Sequence, residues 1–405
     1  MTNKISQINP NLMYKSHEEY CKLYDPEYNL KYSNVLNKID RVYAIGDVHG
    51  DFNFLITALL KINVITIDES VFNTSNINRY QLSTDAIFDN TLVIQVGDQI
   101  DGYREIKTTN NNRIHLNGVF VPKDELIIKL MDKLGSDAYN QQRNFHVLSL
   151  FGNHELLNIS GDFRYAFNPE SDRETIIKRK NMLTKIFHNL LCNRNTIVLV
   201  NDKTIFAHAG IINNSIRYIN FLMSKIDSEY KINVDDPNIN TSDIIIKYNY
   251  FCKMILYYII KNIEKYDFEN IINEIYQNIF ALRNYDYNSD EECDSFRQLF
   301  QILHIDNMCI GHNPQEDGSI KIRNCEFGFN SKKIINIDTA RSKMWYALKY
   351  KVPSMIKIEF DKHYKVASFE KIYVNYNEVE HAMINPNFIN DMYVSKDTIK
   401  EMMQS

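Results

Sequence analysis

Short apolar runs recur along the chain, and each ends abruptly at a turn of small and polar residues. The clearest cover residues 42–45, 92–96, 147–151, 204–206 and 308–310. Their length and composition predict buried strands. Between them, apolar positions three and four apart predict helices over 52–61, 123–134 and 171–192. Asp51 is placed to cap the first of these. Buried strands alternating with helices predict an α/β layered fold with its ligands at the carboxyl ends of strands. Residues 196–200 and 204–206 flank Asn201-Asp202-Lys203 and predict a hairpin. From 213 to 304 the pattern is almost wholly helical, with candidate helices at 214–226, 242–263, 268–280 and 294–304. Asp235-Asp236 and Asp290-Glu291-Glu292 read as acidic loops between them. This block, 213–305, is expected to be a helical insertion that caps the site. Strands return at 320–323, 333–337, 354–360 and 364–373. The expected division is an N-terminal extension (1–40), a catalytic domain (41–375) and a C-terminal tail (376–405). Residues 14–24 predict a short helix that Asp25-Pro26 ends; a packing arm and a disordered tail are both open readings of the extension.

The letters that end the five strands carry the chemistry. They are Gly46-Asp47-Val48-His49-Gly50-Asp51, Gly97-Asp98-Gln99-Ile100-Asp101, Gly152-Asn153-His154-Glu155, Ala207-His208-Ala209-Gly210 and Gly311-His312-Asn313-Pro314. Asp47 and His49 stand two apart on one turn, so both side chains can point at one centre. By itself that turn could equally hold a satisfied histidine. Its repetition with different ligand letters argues for a shared site. Asp47, His49, Asp98, Asn153, His208 and His312 form a set of mixed oxygen and nitrogen donors. The set is too large for one tetrahedral zinc and too rich in imidazole for magnesium alone. It suits two transition-metal ions that share a bridging carboxylate. Such a pair clamps a phosphoryl group and acidifies a bridging water, which replaces a Ser or Cys nucleophile. His154 follows Asn153 directly, so the two side chains diverge, and it is placed to be the general acid for a leaving alkoxide. Asp101 is suited to hold that imidazole in its charged form.

Composition narrows the partners. The chain has 405 residues, 44% of them hydrophobic, which is ample for a sizeable core. A net charge of -5 gives no basic excess and argues against nucleic acid as the main partner. The short basic run Lys178-Arg179-Lys180 is expected to be a solvated helix face. Six cysteines without CxxC spacing read as reduced, mostly buried thiols. Residues 1–14 show no secretory signal, and the strongest apolar run, 254–260, is too short to span a bilayer. The expectation is a soluble, intracellular (cytoplasmic) protein with no membrane partner.

The blocks GDVHG, GDQID, GNHE, HAG and GHNP, in that order, resemble the motifs of calcineurin-like metallophosphoesterases. Asn158-x-x-Gly161-Asp162-Phe163-Arg164-Tyr165 and Ala281-Leu282-Arg283-Asn284-Tyr285 are similar to segments of the Shewanella-like branch of the phosphoprotein phosphatases. The resemblance spans residues 41–346 at motif level. It implies a β-sandwich flanked by helices, with a dinuclear site of Mn, Fe or Zn at its rim. Asp47, His49 and Asp98 would hold one metal; Asp98, Asn153, His208 and His312 the other; His154 with Asp101 would be the acid pair. The family's second motif continues Asp-Arg-Gly, and that Arg binds phosphate. Here the chain reads Asp101-Gly102-Tyr103-Arg104. The family's other phosphate-binding Arg falls on Arg283, and Arg164 or Arg104 would have to take the place of the missing one. The implied substrate is a phosphomonoester, on a protein Ser/Thr or Tyr or on a small molecule. Dinucleoside polyphosphates, hydrolysed in neighbouring branches, are the alternative substrate. Nuclease activity is weakened by the acidic charge. A non-catalytic protein that keeps the fold is the reading outside enzymes.

Overall fold

A computed structural model of the chain describes residues 10–71, 75–102, 105–107, 113–115, 123–167, 173–226, 240–262, 269–282, 290–315, 320–327, 330–339 and 354–374. In chain order the elements that position the site are α1 (Pro10–Tyr24), β1 (Val35–Leu36), β2 (Arg41–Ile45), α2 (Phe52–Lys61), β3 (Thr91–Gln95), α3 (Asp124–Asn140), β4 (Phe145–Leu150) and α4 (Asn153–Ile159). They continue with α5 (Arg173–Asn193), β5 (Arg194–Asn195), β6 (Ile197–Val200), β7 (Thr204–Ala207), α6 (Asn213–Ile226), α7 (Thr241–Asn262), α8 (Glu269–Ile275) and α9 (Asp290–Ile302). The last are β8 (Asn307–Ile310), β9 (Lys321–Phe327), β10 (Asn330–Asn336), β11 (Ser354–Phe360) and β12 (Val366–Tyr373).

Two six-stranded mixed sheets form the centre, ordered β1-β6-β7-β8-β10-β9 and β12-β11-β2-β3-β4-β5. Successive residues of a strand face opposite sides. Val42 and Ala44 of β2, Leu92 and Ile94 of β3, and Leu148 and Leu150 of β4 therefore share one core with Leu199, Ile205 and Met308 of the other sheet. Their neighbours Tyr43, Ile45, Val93 and Val147 point the other way, into a second core with Phe54, Leu55, Leu59, Ile127 and Leu134 of α2 and α3. Burial on both faces is why these strands read as continuous apolar runs. This is a sandwich flanked by helices.

Parallel pairing fixes where the turns emerge. Ile45, Gln95 and Ser149 occupy one register row, so the turns after β2, β3 and β4 leave at the same edge. Ala207, Ile310 and Asn336 make the matching row of the other sheet. Asp51 caps α2, its Oδ1 accepting from Phe54 N at 3.0 Å.

Three expectations are corrected. The segment Asp290, Glu291 and Glu292 begins α9 rather than forming a loop before it. Four cysteines are paired, Cys21 with Cys192 and Cys293 with Cys325, while Cys252 and Cys309 are buried and free. The partners are 171 and 32 residues apart, so nothing in their spacing signals the pairing. The basic triplet is not a uniform solvated face. The side chain of Lys178 is 73% exposed, but that of Arg179 is 10% exposed, because adjacent helical positions point about 100° apart. Among the described residues, no helix is long and apolar enough to cross a membrane. Residues 1–9 and the tail 376–405 lie outside the described residues.

Candidate metal centre

The turns at the two sheet edges meet in a backbone arrangement that few residues tolerate. His49, Asp98, Asp101 and His312 all hold left-handed φ, at 48°, 50°, 72° and 64°. Non-glycine residues in that region are uncommon and cluster at functional sites. Packing is close enough to require glycine. A Cβ on Gly97, whose φ is +96°, would come 2.8 Å from His208 Nδ1, and one on Gly311 would overlap Asp47 Oδ1.

Asp98 sits in the middle. One donor atom each from Asp98, His208 and His312 lie within 4.8 Å of one another, and the same holds for His49, Asp98 and His154. His49 Nε2 is 3.9 Å from both Asp47 Oδ2 and Asp98 Oδ2. His208 Nε2 is 3.3 Å from Asp98 Oδ1 and 2.8 Å from Asn153 Oδ1. Asp47 accepts from His312 N at 3.1 and 3.2 Å. The structure thus brings Asp47, His49, Asp98, Asn153, His208 and His312 together.

Proton positions test whether this set fits metal. A carbonyl only accepts, so His208 Nδ1–H donates to Val96 O (2.9 Å) and His49 Nδ1–H to Ile100 O (3.3 Å). That leaves the two Nε2 atoms directed at the centre, the arrangement that metal-bound imidazoles adopt. His208 Nε2 then faces two oxygens, Asn153 Oδ1 and Asp98 Oδ1, and a metal ion among these atoms, or a second proton on the ring, relieves the repulsion. The carboxylates make the same demand. Burial pushes the Asp47 carboxyl well above the usual range, and the neighbouring Asp338 and Asp98 carboxylates push it further. Burial also acts upward on Asp98, but His208, His154 and His49, when protonated, outweigh it and hold that group well below the usual range, a positive charge that bound metal would supply in their place. The residues fit a site of concentrated positive charge with mixed O and N donors, as a dinuclear centre needs.

Residues outside the six hold this centre. Glu155 is fully buried, and its carboxylate accepts from Gly152 N (2.8 Å), Gln99 N (2.8 Å) and Asp98 N (3.1 Å), so it ties the turn of Asp98 to the start of α4. Burial, then Asp98, pushes its pKa up to about 7. Its signal is its place at the third helical position, where a glutamate reaches back to the cap. Asp338 is buried beside Asp47. It follows β10 as the six candidate ligands follow their strands, and that pattern could have found it.

Behind His154 lies a closed polar ring. His154 Nδ1 is 3.0 Å from Asp101 Oδ2, which also accepts from Asn158 Nδ2 at 2.6 Å. Arg179 donates through Nη2 to Asp101 Oδ1 (2.6 Å), through Nη1 to Asp124 Oδ2 (2.5 Å) and through Nε to Asn158 Oδ1 (2.8 Å). Asp124 Oδ2 accepts from Asp101 N at 3.2 Å. His154 Nε2 faces the centre, 3.7 Å from Asp98 Oδ2, and the Tyr165 ring lies 4.9 Å from the His154 ring. Tyr276 hydroxyl is 3.4 Å from Asn153 Nδ2. Of the arginines expected at phosphate, Arg164 has a side chain 63% exposed and paired with Asp162 at 2.6 Å. Arg104 and Arg283 lie outside the described residues.

A two-sheet sandwich with helices outside and histidines and carboxylates gathered at its strand ends is the arrangement of a protein with a candidate metal centre. Similarity to known proteins narrows this. The model of the calcineurin-like phosphoesterases matches residues 40–334, and the chain belongs to that family. It is therefore a hydrolase of phosphoesters. It is similar to Shewanella-like protein phosphatase 1 of Plasmodium berghei (strain Anka), at 26% identity over 309 residues covering 74% of this chain and 68% of that protein. A second relative is Shewanella-like protein phosphatase 2 of Arabidopsis thaliana, at 31% identity over 135 residues, 32% of this chain and 24% of that protein. A solved cold-active protein tyrosine phosphatase shares the fold, with a TM-score of 0.50, 19% identity, and 85% of this chain and 82% of that one covered.

Proposed function

We propose that this chain is a phosphomonoesterase acting on phosphorylated proteins, with two metal ions of the Mn, Fe or Zn type held by Asp47, His49, Asp98, Asn153, His208 and His312. The observation that supports this most is the position of Asp98, between the His49–His154 group and the His208–His312 group. When bound, the ions supply charge for the phosphoryl oxygens and lower the pKa of a water nucleophile. The protein's own part is to hold both metal groups on one carboxylate and to deliver a proton. His154 is oriented by Asp101, so its Nε2 carries the proton to the leaving oxygen. The two relatives named as protein phosphatases favour a phosphoprotein over a dinucleoside polyphosphate. Activity on phosphopeptide and on a dinucleoside tetraphosphate, measured side by side across added metals, tests this. Hydrolysis of the dinucleotide alone would overturn it.

Arg179 bears on the same acid. Its guanidinium bridges Asp101 and Asp124 and fixes the carboxylate that orients His154. Arg179→Ala is expected to lose part of the roughly 10²–10⁴-fold that a positioned acid contributes. Arg179→Lys, which cannot fork, should recover only part of it. In a His154→Asn background the Arg179 substitution should cost nothing further, since the two act as one unit. Additive losses in the double variant would assign Arg179 to folding alone.

A further inference from the structure

Away from the catalytic turns, three buried donors meet where α1 lies against α5 and α7. His17 and Cys21 are four apart on α1, which puts both on one helical face. Cys192 comes from the last turn of α5. One donor atom from each of the three lies within 4.8 Å of the others. His17 Nε2 is 3.5 Å from Cys21 Sγ and 3.4 Å from the Leu191 carbonyl oxygen. The two sulfurs are joined as a disulfide, with Cα atoms 5.5 Å apart.

We propose that His17, Cys21 and Cys192 form a second metal site, which takes a soft divalent ion of the zinc type when the disulfide is reduced. A dithiol reductant supplies the two electrons and two protons. The Cys21–Cys192 bond breaks, two thiols form, and the dithiol closes to its own disulfide. The ion then takes both sulfurs as thiolates and releases the two protons. His17 offers the Nε2 lone pair, its ring proton moving to Nδ1, and the Leu191 carbonyl can complete a four-coordinate shell. Two sulfurs on a tetrahedral zinc stand about 3.8 Å apart, from Zn–S bonds of about 2.3 Å. Rotation of the two side chains, on Cα atoms 5.5 Å apart, would have to open that gap.

The surroundings favour this chemistry. Burial, then the Lys253 ammonium, pushes the His17 imidazole down to about 4, so it is neutral near pH 7, as a ligand must be. Lys253 Nζ is held by the Cys192 backbone, donating to its carbonyl oxygen at 3.2 Å. The His17 ring is braced edge-on against Tyr257 at 5.6 Å. Thiolate and imidazole donors select softer ions than the oxygen-rich catalytic set does. The site ties the N-terminal helix to α5, the helix that carries Arg179.

Cobalt distinguishes the two centres, because only a sulfur site gives thiolate-to-cobalt charge-transfer absorption. The reduced full-length protein should develop that band on addition of Co²⁺. Cys21→Ser should abolish it, His17→Ala should weaken cobalt binding, and Cys293→Ser should leave it unchanged. Phosphatase activity and circular dichroism check that the variants fold. Should the serine variants misfold, alkylation of reduced wild-type protein decides the matter. Zn²⁺ should then add protection at Cys21 and Cys192, read residue by residue by mass spectrometry. Absence of the band, its survival in Cys21→Ser, no zinc-dependent protection, or a disulfide that resists reductant in the folded protein would each overturn the assignment.

Discussion

Asp98→Asn is expected to strip the chain of bound metal and remove most of its turnover. The substitution keeps the side chain's shape, so the contact from His154 N to Oδ1, 2.9 Å in the wild type, can persist. It removes the negative charge that lies between the imidazoles of His49, His154 and His208. It also removes the second oxygen ligand that a bridge requires. The loss of metal affinity should exceed the roughly 10–100-fold that follows removal of an outer-shell partner. Elemental analysis of protein purified without chelator is the direct measurement. Wild-type chain should carry up to two ions, and the variant should fall well short. Full metal content and full activity in the variant would remove Asp98 from the centre.

His154→Asn is expected to lower turnover by about 10²–10⁴-fold while metal content stays intact. Asn cannot deliver a proton at neutral pH, so the leaving oxygen must depart as an alkoxide. The cost depends on how good that leaving group is. An aryl phosphate releases a stabilised phenolate and should lose far less than a phosphoserine peptide. The ring of polar contacts behind His154 should survive in part, because Arg179 and Asn158 still bind Asp101. Equal losses on the two substrates would mean that His154 serves the site's architecture and not the proton. Loss of metal in this variant would instead make His154 a ligand, a role its Nε2, facing Asp98, is close enough to play.

Much of the fold and of the candidate site is legible in the sequence, because those features are local. A buried strand shows as an apolar run, and a ligand turn shows as the letters that stop it. Asp51 illustrates the local rule: a carboxylate one residue ahead of a helix caps it, whatever the rest of the chain does. The same turns could bear ligands without sharing a site. What makes them one site is the register of β2, β3 and β4 and of β7, β8 and β10, which sends all the turns to one rim.

What only the tertiary structure decided are the contacts between residues far apart in sequence. Arg179 reads as one of three cations on a helix face, and its role depends on α5 lying over Asp101, 78 residues earlier. Cys21 and Cys192 carry no pairing signal, because their approach is set by how α1 docks on α5 and not by anything near either cysteine. Asp101 itself is named by its motif. What surrounds its carboxylate, one imidazole, one amide and one guanidinium from three different side chains, is a product of packing. Local patterns determine which residues end strands and cap helices, since those choices concern only a few neighbouring residues. Long-range partners are chosen when whole elements pack, and no short stretch of sequence encodes that.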